Sequence, residues 1–227
     1  MKAMLLAAGR GERLRPLTDR VPKALVEAGG KPLIAWHLER LAAAGCREAV
    51  VNVSHLGEQI VEHIGDGRRF GLRIAYSREA EPLETAGGIA QALSLLSQDP
   101  FLLVNADVYC EVDFSRLLAH RLQGLAHLVV VPNPAHRARG DFALHGARLL
   151  GQAADAALPR YTYAGVAVVA PDLVRSVHAG EKAPLAPLLY EAADRGLLTG
   201  ELYAGRWQDV GTRERLAELE SWLKDAR

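Results

Sequence analysis

Apolar residues in this chain come in two rhythms that take turns from the first residue to the last. Dense apolar runs at 3–8, 49–53, 72–76 and 101–104 are short enough to be strands buried on both faces. Between them the spacing turns helical. Residues 32–44 place Leu33, Ile34, His37, Leu38 and Leu41 on one face, with Pro32 in the first turn and Gly45 as the stop. Residues 58–64 predict a short helix ended by Gly65. A further helix is expected to start at Thr85 as its cap, with Ala86, Gly87 and Gly88 in its first turn and Ile89, Leu93 and Leu96 on its apolar face.

The second half repeats the alternation less regularly. A helix is predicted over 114–124, strands over 128–131, 142–144 and 162–170, and a turn at Gly146 leads into Leu149 and Leu150. Helices over 173–177 and 187–193, a strand over 198–203 and a last strand over 207–210 follow. Thr212 then caps a closing helix with Glu214 and Arg215 in its first turn, whose Leu216, Leu219 and Leu223 either pack internally or serve a dimer. Strands and helices at these intervals predict an α/β fold: one domain over 1–227 built on a doubly wound, mostly parallel, Rossmann-like sheet. The hairpin spacing around 140–150 adds a small antiparallel insertion over one side of the ligand crevice.

Composition narrows the partners. At 227 residues and 49% hydrophobic, the chain can bury one large core. Lys plus Arg and Asp plus Glu both number 27, so no global field draws in nucleic acid or a membrane surface, and a small anionic partner is expected. Cys46 and Cys110 stand outside any metal-binding spacing, which predicts a reduced, cytoplasmic setting. The first apolar run is too short for a signal-peptide core, and no run approaches membrane-spanning length.

The chemistry concentrates after the first strand. Gly9 and Gly11 let the backbone approach a ligand, and Arg10, Arg13, Arg15 and Lys23 follow, with Pro16 and Pro22 stiffening the loop. A strand that ends in a cation-rich glycine loop suits a polyphosphate. It is not the dinucleotide fingerprint, because Leu14 fills the sixth position of GxGxxG, and no GxxxxGK[ST] string occurs. Asp107 follows a buried strand, where a carboxylate points into the crevice of a parallel sheet, and Asp209 precedes Gly211. Each by itself also reads as a turn or cap residue.

The pattern LAAGxGxRLxPLTxxxPKAL resembles the signature of the sugar-1-phosphate nucleotidyltransferases. EPLETAGG at 81–88, NAD at 105–107, YAGV at 163–166 and WQDVGT at 207–212 resemble that family's later segments in the same order, with Glu84 where the family usually has glycine. The resemblance implies that Ala8, Gly9, Gly11, Glu12 and Arg13 hold the triphosphate and that Lys23 meets the α-phosphate. It implies further that Gly87 and Gly88 lie against the base, that Asn105, Gly140 and Gly165 line the sugar site, and that Asp107 and Asp209 hold Mg²⁺. Arg13, Lys23, Asp107 and Asp209 are thus the expected catalytic set. GQAADA at 151–156 stands where many members carry an EKP string, so their sugar contacts are not transferred, and His136, Arg137 and Arg139 read as a solvated loop. The runs RLRPLTDRVPKALVE, ETAGGI and RGDFAL imply UTP and a sugar 1-phosphate as substrates, with guanylyl transfer to mannose 1-phosphate or thymidylyl transfer to glucose 1-phosphate as alternatives. A monomer or weak homo-oligomer is expected. A non-catalytic nucleotide-binding module would be expected to lack a site lysine or aspartate, whereas Lys23, Asp107 and Asp209 are all present.

Overall fold

A computed structural model describes residues 1–152 and 154–225. Its first half follows the apolar runs. Strands β1 (Ala3–Leu6), β4 (Glu48–Val53), β5 (Arg73–Arg78) and β6 (Phe101–Asn105) lie parallel in the order β5-β4-β1-β6. Small ribbons interrupt them: β2 (Glu27–Ala28) pairs with β3 (Lys31–Pro32), and β7 (Val108–Cys110) leaves the main sheet altogether. The register places Leu6 between Asn52 and Asn105, so the last residue of β1 is flanked by two amides at the carboxyl edge.

Beyond β6 the sheet is mixed, which corrects the mostly parallel expectation. Strand β8 (Ala126–Val131) is followed by the hairpin β9 (Phe142–His145) and β10 (Arg148–Leu150), which returns the chain as β11 (Arg160–Val169). β11 inserts antiparallel between β6 and β8. β12 (Leu198–Leu202) runs parallel to β8 and the hairpin closes the far edge, giving nine strands in the order β5-β4-β1-β6-β11-β8-β12-β10-β9. The antiparallel insertion is therefore part of the sheet itself. β13 (Trp207–Asp209) is not in the main sheet either, and pairs antiparallel with β7.

Helices cover both faces. Ile34, Leu38 and Leu41 of α1 (Leu33–Ala43), Ile60 and Ile64 of α2 (Gly57–Ile64) and Phe114 and Leu117 of α4 (Phe114–Leu118) are buried with one side of the sheet. Ile89 of α3 (Glu84–Ala92) and Leu185 and Leu189 of α5 (Leu185–Asp194) are buried with the other. A third cluster joins Leu219 and Leu223 of α6 (Arg213–Asp225) to Val26, Ala28 and Leu33, so the leucines at 219 and 223 pack internally. Three helix expectations shift. α4 stops at Leu118, capped at its start by the Asp113 carboxylate, the region of 173–177 is a 3-10 turn at Pro171–Val174, and α3 starts at Glu84 rather than after Thr85. No helix among the described residues is long and apolar enough to cross a membrane.

Candidate active site

Three cavities meet where the parallel strands end. The first, about 190 Å³, lies against Ala7, Ala8, Asn52 and Glu79. The second, about 790 Å³, is walled by Gly9 to Arg13, Lys23 and Lys182, with Gly211 at its rim. The third, about 410 Å³, has Phe142, Tyr163 and Leu189 in its walls and Arg137 and Asp141 among its polar groups. Lys23 and Asp107 line the first two, Thr85 and Asn105 the first and third, and Glu84 all three.

The glycine loop builds the second cavity. Gly11 takes a left-handed conformation (φ 64°), and a Cβ there would meet Thr18 Cγ2 at 2.9 Å and Lys23 Cβ at 3.1 Å. The buried Thr18 hydroxyl donates to the Gly11 carbonyl at 2.8 Å, folding the loop back onto the turn that carries Lys23. Gly9 is exposed, and a Cβ there would meet no atom within 4 Å, which leaves its backbone open to a ligand. The Lys23 ammonium forms an ion pair with the Asp107 carboxylate at the wall shared by the first two cavities.

Pairing of β7 with β13 carries Asp209 to the same edge. Asp209 stands opposite Val108, and the Val210 N–H donates to the Asp107 carbonyl at 2.9 Å. The two aspartates are thus neighbours along one ribbon, yet each carboxylate has its own partner. Asp107 takes Lys23, whereas Asp209 Oδ2 takes the guanidinium of Arg215, a residue only 8% exposed. His136 Nε2 lies 2.8 Å from Arg215 Nη1 and 3.3 Å from Asp209 Oδ1. That oxygen is buried and has no hydrogen-bond partner. Asp209 lines none of these three cavities but a separate one with His136 and Arg215, so no described cavity is lined by both aspartates. What suits Mg²⁺ is their chemistry, hard carboxylate oxygens of the kind the ion takes together with phosphate and water. Among the described residues no group of three or more His, Cys, Asp or Glu side chains could hold a metal, so substrate oxygens would have to complete such a site.

Behind the ribbon, His37 on α1 fixes β7. Its Nε2 lies 2.6 Å from the Val108 carbonyl, and burial, the dominant cause, lowers its pKa to about 4, so the ring is neutral and donates there.

The first cavity rests on a relay of polar groups. The Ala7 N–H donates to Asn52 Oδ1 at 2.7 Å, Asn52 Nδ2 donates to Glu79 Oε1 at 2.7 Å, and the Leu83 N–H donates to Glu79 Oε2 at 2.9 Å. Glu79, 5% exposed, is the one carboxylate among the described residues in the buried class. Gly88 makes room for this pair, since a Cβ there would sit 2.7 Å from Glu79 Oε1 and 2.8 Å from Asn52 Nδ2.

The start of α3 differs from the open helix N-terminus expected at Gly87 and Gly88. The N–H groups of Ala86 and Gly87 both donate to the Ala183 carbonyl, at 3.0 and 3.1 Å, and the Ala183 N–H donates to the Leu83 carbonyl at 3.0 Å. Segment 181–183 is strapped across the helix start, and a Cβ on Gly87 would run into the Glu181 carbonyl. Both glycines therefore serve close packing, and neither is among the residues lining the three cavities. Gly140, expected at the sugar, packs instead against Asn133 Oδ1 and Tyr161 N. Gly165 (φ 76°) acts through its neighbour, because a Cβ there would meet Asn105 Nδ2 at 2.8 Å. The missing side chain lets Asn105 stand at the first and third cavities.

Sequence reasoning missed Asn52, Glu79 and Lys182. Asn52 is the polar member of the buried run AVVNV and Glu79 directly follows β5, signals that a search for polar residues at strand ends would have found. Lys182 carries no periodic signal. The strap sets it on the wall of the second cavity, where its ammonium lies 3.8 Å from Glu84 Oε1.

Comparison with known proteins agrees with this layout. Residues 2–140 match the family described as Nucleotidyl transferase. The chain is 46% identical over 228 residues to N-acetylmuramate alpha-1-phosphate uridylyltransferase of Neisseria meningitidis serogroup B, covering 97% of each. It is 41% identical over 134 residues to the mannose-1-phosphate guanylyltransferase catalytic subunit beta of Drosophila pseudoobscura pseudoobscura, covering 57% of this chain and 36% of that protein. The solved structure of HddC from Yersinia pseudotuberculosis, complexed with GMP-PN, superposes with a TM-score of 0.78 at 18% identity over 97% of this chain and 98% of that one, a likeness of fold.

Proposed function

The chain belongs to the nucleotidyl transferase family, and from that premise we propose that it joins UTP to N-acetylmuramate 1-phosphate, forming the UDP-sugar and releasing pyrophosphate. The observation that carries the reading is the division of one crevice into three connected cavities. A small one is bounded by an amide and a carboxylate, a large one by four cations, Arg10, Arg13, Lys23 and Lys182, and one has apolar walls. These suit a nucleoside, a triphosphate and a sugar in that order, with Lys23 and Asp107 where the reacting phosphates would meet.

In the reaction, an oxygen of the sugar phosphate attacks the α-phosphorus in line. The new P–O bond forms as the bond to the β-phosphate oxygen breaks, and pyrophosphate leaves with that electron pair. The nucleophile is already an anion, so no general base is needed, and the protein's work is orientation and charge neutralisation. Backbone N–H groups of Ala8, Gly9, Gly11 and Glu12, with Arg13, would hold the β- and γ-phosphates, and Lys23 the α-phosphate. Asp107 and Asp209 would hold Mg²⁺, which when bound supplies charge neutralisation between the two substrate phosphates. Asn105, released by Gly165, would hydrogen-bond the sugar. N-acetylmuramate is a cell-wall sugar, so the setting is cytoplasmic recycling of wall material.

Pyrophosphate release measured over a matrix of UTP, GTP and dTTP against N-acetylmuramate, N-acetylglucosamine, mannose and glucose 1-phosphates tests the proposal. UTP with N-acetylmuramate 1-phosphate should give the highest kcat/KM. Faster turnover of GTP with mannose 1-phosphate would transfer the assignment to guanylyl transfer, and no release in any cell of the matrix would leave a binding module.

A further inference from the structure

Among the described residues lining the third cavity the one cation is Arg137, and the structure shows how it is aimed. Arg137 ends a 3-10 turn, Ala135–Arg137, in the long connection between β8 and β9, and its Nη1 lies 3.3 Å from each oxygen of Asp141. Asp141 is itself pinned to the sheet. Its N–H donates to the Tyr161 carbonyl at 2.7 Å, its carbonyl accepts from Arg160 at 2.8 Å, and its Oδ2 accepts from the Tyr163 N–H at 2.8 Å. An aspartate held twice through its backbone and once through its carboxylate orients a guanidinium well, and it engages Nη1 alone. The Nε and Nη2 donors have no partner among the described residues, so the flat edge that pairs bidentately with a carboxylate stays available. Tyr163, in the wall of the same cavity, has a buried hydroxyl without a hydrogen-bond partner, and burial pushes its pKa up, so it stays a neutral donor.

We propose that Arg137, aimed by Asp141, reads a carboxylate carried on the sugar ring, so that the third cavity selects acidic sugar 1-phosphates over neutral ones. This rests on the function proposed above, in which the lactyl ether of N-acetylmuramate supplies that carboxylate, and it gives Arg137 a part beyond that of a solvated loop residue. The cavity reaches Thr85 and Asn105 at the junction with the nucleoside cavity, so a sugar whose phosphate lies near Asp107 can extend toward Arg137. Arg137 touches an arm remote from the reacting phosphorus and is therefore a specificity residue. Its loss should raise the KM for the acidic sugar and leave kcat nearly unchanged.

The test compares wild type, Arg137→Ala and Arg137→Lys on N-acetylmuramate 1-phosphate and on N-acetylglucosamine 1-phosphate, which lacks the lactyl acid, with UTP saturating. Arg137 is exposed, so neither variant threatens folding, and equal melting temperatures confirm it. The expected result is a loss of roughly tenfold or more in kcat/KM for the acidic sugar in Arg137→Ala, a change within about twofold for the neutral one, and partial recovery in Arg137→Lys. Equal losses on both sugars, or no loss on either, would overturn the proposal while the uridylyltransferase reading stands. A wild type that turns over only the neutral sugar would overturn both.

Discussion

Replacing Gly87 by alanine puts the strap over α3 to a direct test. The new Cβ would meet main-chain atoms of the strap, the Glu181 carbonyl oxygen first and Ala183 N at 3.2 Å, and neither can swing aside as a flexible side-chain end would. Residues 181–183 must therefore move off the helix, weakening the three hydrogen bonds that join Ala86, Gly87 and Leu83 to Ala183. At about 0.5–1.5 kcal/mol each, their combined loss is about 1.5–4.5 kcal/mol. Alanine is better than glycine inside a helix by about 1 kcal/mol, so the net expectation is a destabilisation of about 0.5–3.5 kcal/mol. Urea titration followed by circular dichroism reads this as a lower midpoint at an unchanged slope. The same displacement carries Lys182 away from the second cavity and Pro184 and Leu185 away from the third, so kcat/KM should fall even in fully folded protein. Gly9→Ala is the contrast, since a Cβ there meets nothing within 4 Å. Its stability should stay within about 0.5 kcal/mol of wild type while UTP binding weakens. A Gly87→Ala protein as stable as wild type, or more so, would show that helix propensity outweighs the strap and refute the reasoning.

Other consequences are as open to measurement. His37 has a pKa of about 4 when folded and 6.5 as its ordinary value, so between those limits the unfolded chain binds a proton that the folded one does not. Stability should be complete above pH 6.5 and fall toward pH 4 at about 1.4 kcal/mol per pH unit; denaturation at several pH values checks this, and a slope retained in His37→Gln would acquit His37. Glu84 stands at φ 59°, a conformation that costs a residue with a Cβ about 1–2 kcal/mol. Glu84→Gly should then be more stable than Glu84→Ala by about 1 kcal/mol, against the helix ranking, and equal midpoints would exclude strain there. Asp107→Asn should cut turnover at least about 100-fold with the melting curve nearly unchanged, and full activity would remove Asp107 from the reacting centre.

The parallel half of the sheet was legible because its strands are continuous apolar runs and its helices carry a 3.6-residue period, as at Leu33, Leu38 and Leu41. The mixed half was not. Ala126–Val131 and Arg160–Val169 are equally apolar in either strand direction, so nothing in their composition says that β11 runs against β6. β7 is three residues long, too short for any period to register, although it is what carries Asp209 to Asp107. Lys23 and the glycine loop could be read because their spacing is local, and Asp107 because it follows the end of a buried strand. The strap was invisible, since Gly87 looks the same in sequence whether it faces a ligand or the carbonyl of Glu181. Glu84 kept a backbone conformation natural to glycine, which residue identity alone would not predict.

The ribbon of β7 and β13 and the last helix also bear on how the protein reaches its native state. Lys23 and Asp107 are separated by 84 positions, and the Gly29 N–H receives its Glu220 partner from 191 positions away, with Leu223 packed near Val26 and Ala28 in one small cluster. Contacts of such long range must close large loops before they return any energy, which slows a folding reaction. On a ribosome, strands β1, β4, β5 and β6 can associate while the C-terminal fifth is still unmade, but the reactive centre stays half-assembled until α6 emerges and clasps the opening segment.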